Sequence, residues 1–563
     1  MFLTRFKKSL ILSKTINFIE MYVKAIFKRI YIKLWLDLPL KIIIGIKSRK
    51  LTKNQLEFKK LMIFFKSNVN SNSNGIVLVQ QVRNYEYSIK MFALAKVVSD
   101  KNQFEINTYL PYVDKVHFWF FTKKDWVVRK LINIFFNEQY IKINNSVTKN
   151  VIHSNHKKHS DIIKVNENVK KLLDTININN LDSINYLELE GIKIGDLIYD
   201  NYLRFFHKPT ITEIDNKLIL VIDCAVNIFY NFKDLINKYP IKVIINSYSS
   251  YLDHGIAARV CLYNDIDVYT IGSYSYTAQK MTKDFLSHHI NHTLFNPNLV
   301  LNGKQRELAK NKLESRFDGK IDPAARYLRQ TSFANTSINL KTEELFKLRP
   351  RNIVIYAHDF YDSPHINRKL AFADLFQFLK QTLNSLINIS GTTVFIKIHP
   401  NGIVGNEQQT IELVNSFEME HFIILDATVS NNHIIAVRPD LIATARGTVC
   451  LEMAYFEIPS VALFDNIFSN FSFTHTCQTI DEYFNILKGK KQVELNYCKE
   501  KIFSFYYQAY LEKRPEKNTE LYDWLASCEY ETFSNEYLSC ILNRKEEVFS
   551  SKILDIYSKV NNN

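Results

Sequence analysis

The chain is 563 residues long, with 46% hydrophobic and 23% charged residues, a composition that leaves room for three or four units of about 150 residues and excludes a disordered tail, a fibre or a polytopic membrane protein. Its net charge of +15 suggests a nucleic-acid partner until the charge is located. Residues 1–60 hold 15 Lys and Arg against Glu20, Asp37 and Glu57, whereas the other 503 residues carry 57 basic and 54 acidic side chains, so the body is nearly neutral and no nucleic acid is expected as a partner.

In chain order, residues 1–70 form a basic arm in which Lys and Arg alternate with Phe2, Phe6, Phe18, Tyr22, Phe27, Tyr31 and Trp35. That mixture predicts an amphipathic helix lying on an anionic membrane surface; a basic helix packed on the body is the plainer alternative. A spanning helix needs about 18 uninterrupted apolar residues, and the best stretch, residues 34–46, is broken by Asp37, Pro39 and Lys41. Lys and Arg recur where the apolar part of a leader would lie, so the expected place is the cytoplasm, at the inner face of the membrane. Seven cysteines without a Cys-x-x-Cys pair predict reduced thiols rather than a disulfide framework or a zinc knuckle.

Residues 71–300 read as an α/β domain. The apolar run GIVLVQQV (75–82) leads into a helix-compatible segment at 85–98. Residues 101–180 carry no clear period. A helix over 215–238, the strand IKVIIN (241–246), a helix over 254–263 and the strand DVYTIG (267–272) then give a βαβ unit. A weakly patterned bridge, 301–350, precedes a second series over 351–490. Its strands fall at 352–357, 393–398, 421–426, 440–444 and 461–464, with helices at 368–387, 408–417 and from 448. Residues 491–563 read as helices. Two successive Rossmann-like parallel sheets imply a cleft, because open α/β sheets bind ligands beyond the carboxyl ends of their strands.

Three polar segments fall at such ends. The first strand of the second series runs into HDFYDSPH, which places His358, Asp359, Asp362 and His365 in one loop. Such a loop could bind phosphate, hold a Zn or Mn ion, or be a polar turn shaped by Pro364. The next strand ends in His399 and Pro400. The third segment, Arg446-Gly447-Thr448 followed by VCLEMAYF, takes a strand through a small-residue turn into a helix, whose free N–H groups and dipole suit a phosphate oxygen. Glu452 lies four residues after Thr448, on the same helix face, and could accept ribose hydroxyls or form a salt bridge. The Gly-Lys-Ser/Thr pattern of a Walker loop is missing.

Together, HDFYDSPH, KIHP and TARGTVCLEMAYFEIPSVAL resemble the C-terminal half of bacterial capsule and surface-polysaccharide glycosyltransferases of the GT-B type. They are similar to the capsular Kdo transferases and, more distantly, to the bacterial sialyltransferases that share a His-Pro motif. LEGIKIGDLIYDNYLR (189–204) and YLDHGIAARVCLYNDIDVYTIG (251–272) resemble the acceptor-side domain of the same group. The likeness spans about residues 185–465. It implies a GT-B-like pair of Rossmann-like domains facing a cleft, flanked by the basic amphipathic N-terminal arm and C-terminal helices. It also implies a nucleotide-sugar donor on the second domain, with its phosphates near His399 and residues 446–448 and its ribose near Glu452.

On this resemblance a glycan or lipid-linked acceptor lies on the first domain. Asp196 is the leading choice for the base that deprotonates it, followed by His254 and Asp253. The acidic pair that precedes a glycine in the sialyltransferases is split here, with Glu188 and Glu190 flanking Leu189 before Gly191. No cofactor is expected; without an Asp-x-Asp motif in the cleft, no divalent metal is expected either. The alternatives are a metal-dependent hydrolase or phosphoesterase built on residues 358–365, and a non-catalytic scaffold for glycan assembly.

Overall fold

The structure, a computed structural model, describes residues 73–82, 85–110, 151–153, 160–271, 279–289, 295–320, 331–333, 340–366, 370–463, 466–493 and 497–512, with a few isolated positions. The expected amphipathic helix of the arm and the helices expected after residue 512 lie outside the described residues. Among the described residues no helix is long and apolar enough to cross a membrane.

Two six-stranded sheets dominate. The first is built from β1 (Ile76–Gln80), β2 (Glu105–Leu110), β3 (Val151–His153), β6 (Ile241–Asn246), β7 (Asp267–Thr270) and β8 (Gln279–Lys280), in the order β3-β2-β1-β6-β7-β8. All neighbours are parallel except β8, which runs antiparallel to β7. A two-stranded hairpin, β4 (Glu188–Leu189) with β5 (Ile192–Lys193), stands apart. The second sheet contains β9 (Arg351–Tyr356), β10 (Thr392–Lys397), β11 (Phe422–Leu425), β12 (Leu441–Thr444), β13 (Ser460–Leu463) and β14 (His475–Cys477). Its order is β11-β10-β9-β12-β13-β14, parallel throughout. Each sheet therefore reverses its winding once, between β1 and β6 and between β9 and β12, and those two points are where a doubly wound sheet opens a crevice for a ligand.

The strands form because helices cover both faces of a parallel sheet, so every side chain of β1 and of β10 is buried. On the first sheet lie α1 (Tyr85–Asn102), α2 (Ile162–Thr175), α3 (Gly195–Phe206), α4 (Asn216–Lys238) and α5 (Ala257–Tyr263). Asp215 caps α4 by accepting from the N–H groups of Lys217 and Leu218 at 3.1 and 2.8 Å, which fixes that start where the sequence put it. Val221, Ile222 and Phe229 of α4 join Leu78 and Ile244 in one core.

The bridge contains α6 (Gly303–Phe317), begun by a capping box between Asn302 and Gln305. The second sheet carries α7 (Leu375–Ser385), α8 (Asn406–Asn415), α9 (Asn431–Val437), α10 (Val449–Tyr455) and α11 (Ile480–Leu487), and α12 (Lys499–Tyr506) packs with α6 and α10 through Leu313, Leu451, Phe503 and Phe505. The helix expected from residue 368 begins only at Leu375, because the Asp374 side chain caps it by accepting from the Gln377 N–H at 2.8 Å. The sequence reading did not place β2, β3 and α2 in the aperiodic stretch, α6 in the bridge, or the short β4, β5, β8, α9, β14 and α11.

Candidate functional site

At the reversal point of the second sheet, β9 delivers His358 and β12 delivers Thr444 to the same edge, where His358 Nε2 lies 2.8 Å from Thr444 Oγ1. The Gly447 N–H donates to that hydroxyl at 3.1 Å. A Cβ on Gly447 would stand 2.9 Å from Thr444 Oγ1 and 3.7 Å from the His358 ring, so the turn closes only over glycine. Burial, aided by the charge on Arg446 and by His399, pushes His358 down to about 3, leaving a neutral imidazole at pH 7. His399 follows β10. Its Nδ1 accepts from the Asn401 N–H at 3.2 Å, which assigns the ring proton to Nε2. Burial outweighs the opposing Asp362 carboxylate and lowers the His399 pKa as well. Pro400 continues the same turn.

The Arg446 guanidinium donates to the Pro364 carbonyl and borders an apolar pocket whose walls include Leu370, Phe372, Phe378 and Leu463. His358, His399, Arg446 and Gly447 thus occupy one neighbourhood. Thr448 and Glu452 face the other way. Thr448 Oγ1 accepts from Arg316 of α6 at 3.3 Å, and the buried Glu452 carboxylate is shared between Arg316 at 2.6 Å and Asn431 at 2.8 Å. With both oxygens engaged, Glu452 holds α6 and α9 against α10 and does not present a free acceptor to a ribose.

The loop after β9 divides into three roles. Asp359, raised to about 6 by burial, accepts from the N–H groups of Tyr361 at 2.9 Å and Ile403 at 2.6 Å, tying this loop to the one after β10. Asp362 is exposed and meets the first unit, 3.2 Å from the Tyr251 hydroxyl and 3.6 Å from Arg204. His365 is turned inward. Its Nδ1 lies 2.6 Å from the Asp200 carboxylate of α3, and its Nε2 lies 2.7 Å from the Ala373 carbonyl. Asp359 and His365 are thus both engaged within the fold. Among the described residues the cluster with metal-type donors is instead His475, Cys477 and Glu482, remote in sequence from both reversal points.

At the reversal point of the first sheet, Gln80 Oε1 accepts from the Ser247 N–H at 3.0 Å and hydroxyl at 2.8 Å. Gln80 Nε2 and Oε1 lie 2.8 and 3.1 Å from His254 Nδ1, and His254 Nε2 lies 3.3 Å from the Asp253 carboxylate. Both residues belong to a single π-helical turn, Tyr251–Ile256, a local irregularity of a kind frequent at functional sites. Asp196, the leading sequence candidate for a base, does not fit that role. It is 6% exposed and bound at both oxygens by Arg259, at 2.6 and 2.7 Å. Burial would raise its pKa, but the Arg259 guanidinium overrides that and holds the carboxyl below its ordinary value.

Sequence reasoning missed His288 and His289. The His288 ring lies 4.9 Å from Tyr248 and 4.4 Å from His289. Burial and the charge of Arg446 push His289 down to about 4, so an imidazole of the first unit shares the surroundings of a guanidinium of the second. Two adjacent histidines closing an otherwise unpatterned stretch were the available signal.

No family model matches the chain, and neither does any curated protein. Among solved structures it is similar to the beta Kdo 2,4 transferase KpsC of Thermosulfurimonas dismutans, at 12% identity over 47% of this chain and 79% of that one, with a TM-score of 0.31. It is also similar to the UDP-GlcNAc 2-epimerase of Methanocaldococcus jannaschii in complex with UDP-GlcNAc and UDP, at 11% identity over 76% and 97% of the two chains (TM-score 0.24). A third is S. aureus MnaA with UDP, at 12% identity over 84% and 96% (TM-score 0.20). Likeness at this level transfers neither fold nor activity, and the chain's own residues must carry both.

Proposed function

We propose that this protein is a GT-B-type glycosyltransferase that moves a sugar from a nucleotide-activated donor to a capsule, lipopolysaccharide or other surface-glycan acceptor. The observation that carries this reading is the grouping of Arg446, His358 and His399 at the reversal point of the second sheet, with the Asp253–His254 pair at the corresponding point of the first. Donor phosphate would lie against Arg446 and the Gly447 turn, where the guanidinium opposes the charge that builds on the departing phosphate. The His399 Nε2–H would donate to the same group. Because burial keeps these imidazoles neutral, they orient phosphate by hydrogen bonding and leave Arg446 as the nearby fixed cation.

If the transfer inverts, a base must take the acceptor proton. Asp253, with His254 Nε2 3.3 Å away, fits that role better than Asp196, whose oxygens are both held by Arg259. The basic arm would hold the catalyst near a lipid-linked acceptor and raise its effective concentration. A thermal-shift panel of CMP, UDP and GDP, followed by transfer assays with the corresponding sugars, tests the reading. Saturable binding of one nucleotide, with transfer lost in His399→Ala at an unchanged melting temperature, is expected; a His399→Ala protein that still turns over at the wild-type rate would overturn it. A scaffold would bind none of the three nucleotides.

A further inference from the structure

One face of α3 is spent on the second unit. Tyr199 donates from its hydroxyl to Asp374 at 2.7 Å. Asp200 accepts from the His365 backbone N–H at 3.2 Å and meets its Nδ1 at 2.6 Å, and Arg204 lies 3.6 Å from Asp362. Just past the helix, His207 stacks on Tyr361 with ring centroids 5.4 Å apart. The His365 ring also packs edge-on against Tyr199, at 4.9 Å. The Asp200 and His365 side chains are 3% and 7% exposed, so this is a buried carboxyl–imidazole contact between residues 165 positions apart, not a surface pair.

Buried pairs of this kind add little net stability and serve better to specify one arrangement over others. What they specify here follows from the chain. The segment that ends in His365 begins with His358, and the carbonyl of Pro364, the residue before His365, receives the Arg446 guanidinium. The contact that fixes His365 against α3 therefore also fixes the carbonyl that aims Arg446. Asp374, the partner of Tyr199, caps α7, whose Leu375 and Phe378 line the pocket beside Arg446.

We infer that Asp200 and His365, with Tyr199 and Asp374, form a positioning device between the two units that holds Arg446 and His358 in register with the Asp253–His254 pair. This rests on the proposed transferase reading but assigns these residues no contact with substrate. Arg446 acts chiefly on the charge that builds on the departing phosphate, and transfer needs both units in register, so loss of the device should act on turnover more than on donor affinity.

The test uses the full chain with Asp200→Asn and His365→Asn. Asp200→Asn keeps an oxygen for the His365 N–H but removes the charge; His365→Asn keeps a donor near the position of Nδ1 and guards against simple misfolding. A misplacement of about 1 Å can cost roughly 100-fold in rate. Asp200→Asn should therefore lower kcat by about that factor while donor KM and the Kd of the bound nucleotide change by no more than about tenfold, the split expected when an interaction matters mainly in the transition state. His365→Asn, which leaves the Asp200 carboxylate a donor, should keep most of the wild-type rate. Hydrogen exchange read on Asp200→Asn is independent of any transfer assay: residues 196–206 and 358–366 should lose protection together while β9 and β10 keep theirs. An unchanged kcat, or a KM that rises as much as kcat falls, overturns the positioning role. Unaltered exchange in 358–366 overturns it even if the protein proves to transfer no sugar, whereas coupled exchange without transfer in the wild type would count against the transferase reading alone.

Discussion

The histidines at the two reversal points illustrate how a residue's neighbours decide its chemistry. His358 and His289 are pushed to about 3 and about 4, while His365, in spite of burial, is held above its ordinary value by the Asp200 carboxylate. The signs differ, and so must the consequences for stability. A histidine neutral in the fold but protonated when unfolded binds fewer protons in the native state, so its contribution is complete above about pH 6.5 and is lost as the pH falls toward the folded value. His358→Gln should accordingly narrow the loss of melting temperature between pH 7 and pH 4 relative to wild type; parallel curves for the two proteins would contradict the depressed value. Asp196 offers a second residue-level test. Asp196→Asn leaves Arg259 buried without its charge partner and should destabilise by about 3–5 kcal/mol in chemical denaturation, with donor KM unchanged. A stable Asp196→Asn protein that has lost only turnover would restore Asp196 as the base.

At the scale of elements, α3 is the piece on which most depends. It carries Asp196 toward Arg259 inside its own unit and Tyr199, Asp200 and Arg204 toward the other. Its first residue is Gly195 for a steric reason: a Cβ there would stand 2.0 Å from the Ile184 carbonyl oxygen and 2.5 Å from the Leu187 nitrogen. Gly195→Ala must push α3 away from the preceding 3-10 turn. It should cost about 1–3 kcal/mol, as overpacking does, and should lower turnover beyond what the stability loss explains if α3 sets the register between units. Urea unfolding and kcat measured on the same preparation separate the two effects. The spacing of Asp196 and Asp200 by four residues on a helix rich in apolar and aromatic residues was visible in the sequence and could have marked a buried, partnered face. Which partners it would find was not visible, since Arg259 and His365 lie 63 and 165 residues away.

For the whole molecule, the charge is concentrated in residues 1–60 while the rest of the chain is nearly balanced. Deleting those residues should release the protein from anionic liposomes in a flotation assay and leave transfer to a soluble acceptor intact; unchanged liposome binding would place the lipid contact elsewhere.

The sequence by itself determined most of the parallel strands, though not β2, β3 or β14, and the loops at their carboxyl ends. Buried strands write themselves as unbroken apolar runs, and polar residues directly after such a run have only the sheet edge to occupy; β1, β6, β9, β10 and the placing of His358, His399 and Arg446 were legible for that reason. Only the tertiary structure decided which of these side chains remain available to a ligand. It committed Glu452 to Arg316 and Asn431, Asp196 to Arg259 and His365 to Asp200, and brought His289 within electrostatic reach of Arg446. Hydrogen-bond partners for buried polar groups come from wherever the folded chain returns, and that distance in sequence carries no local signal.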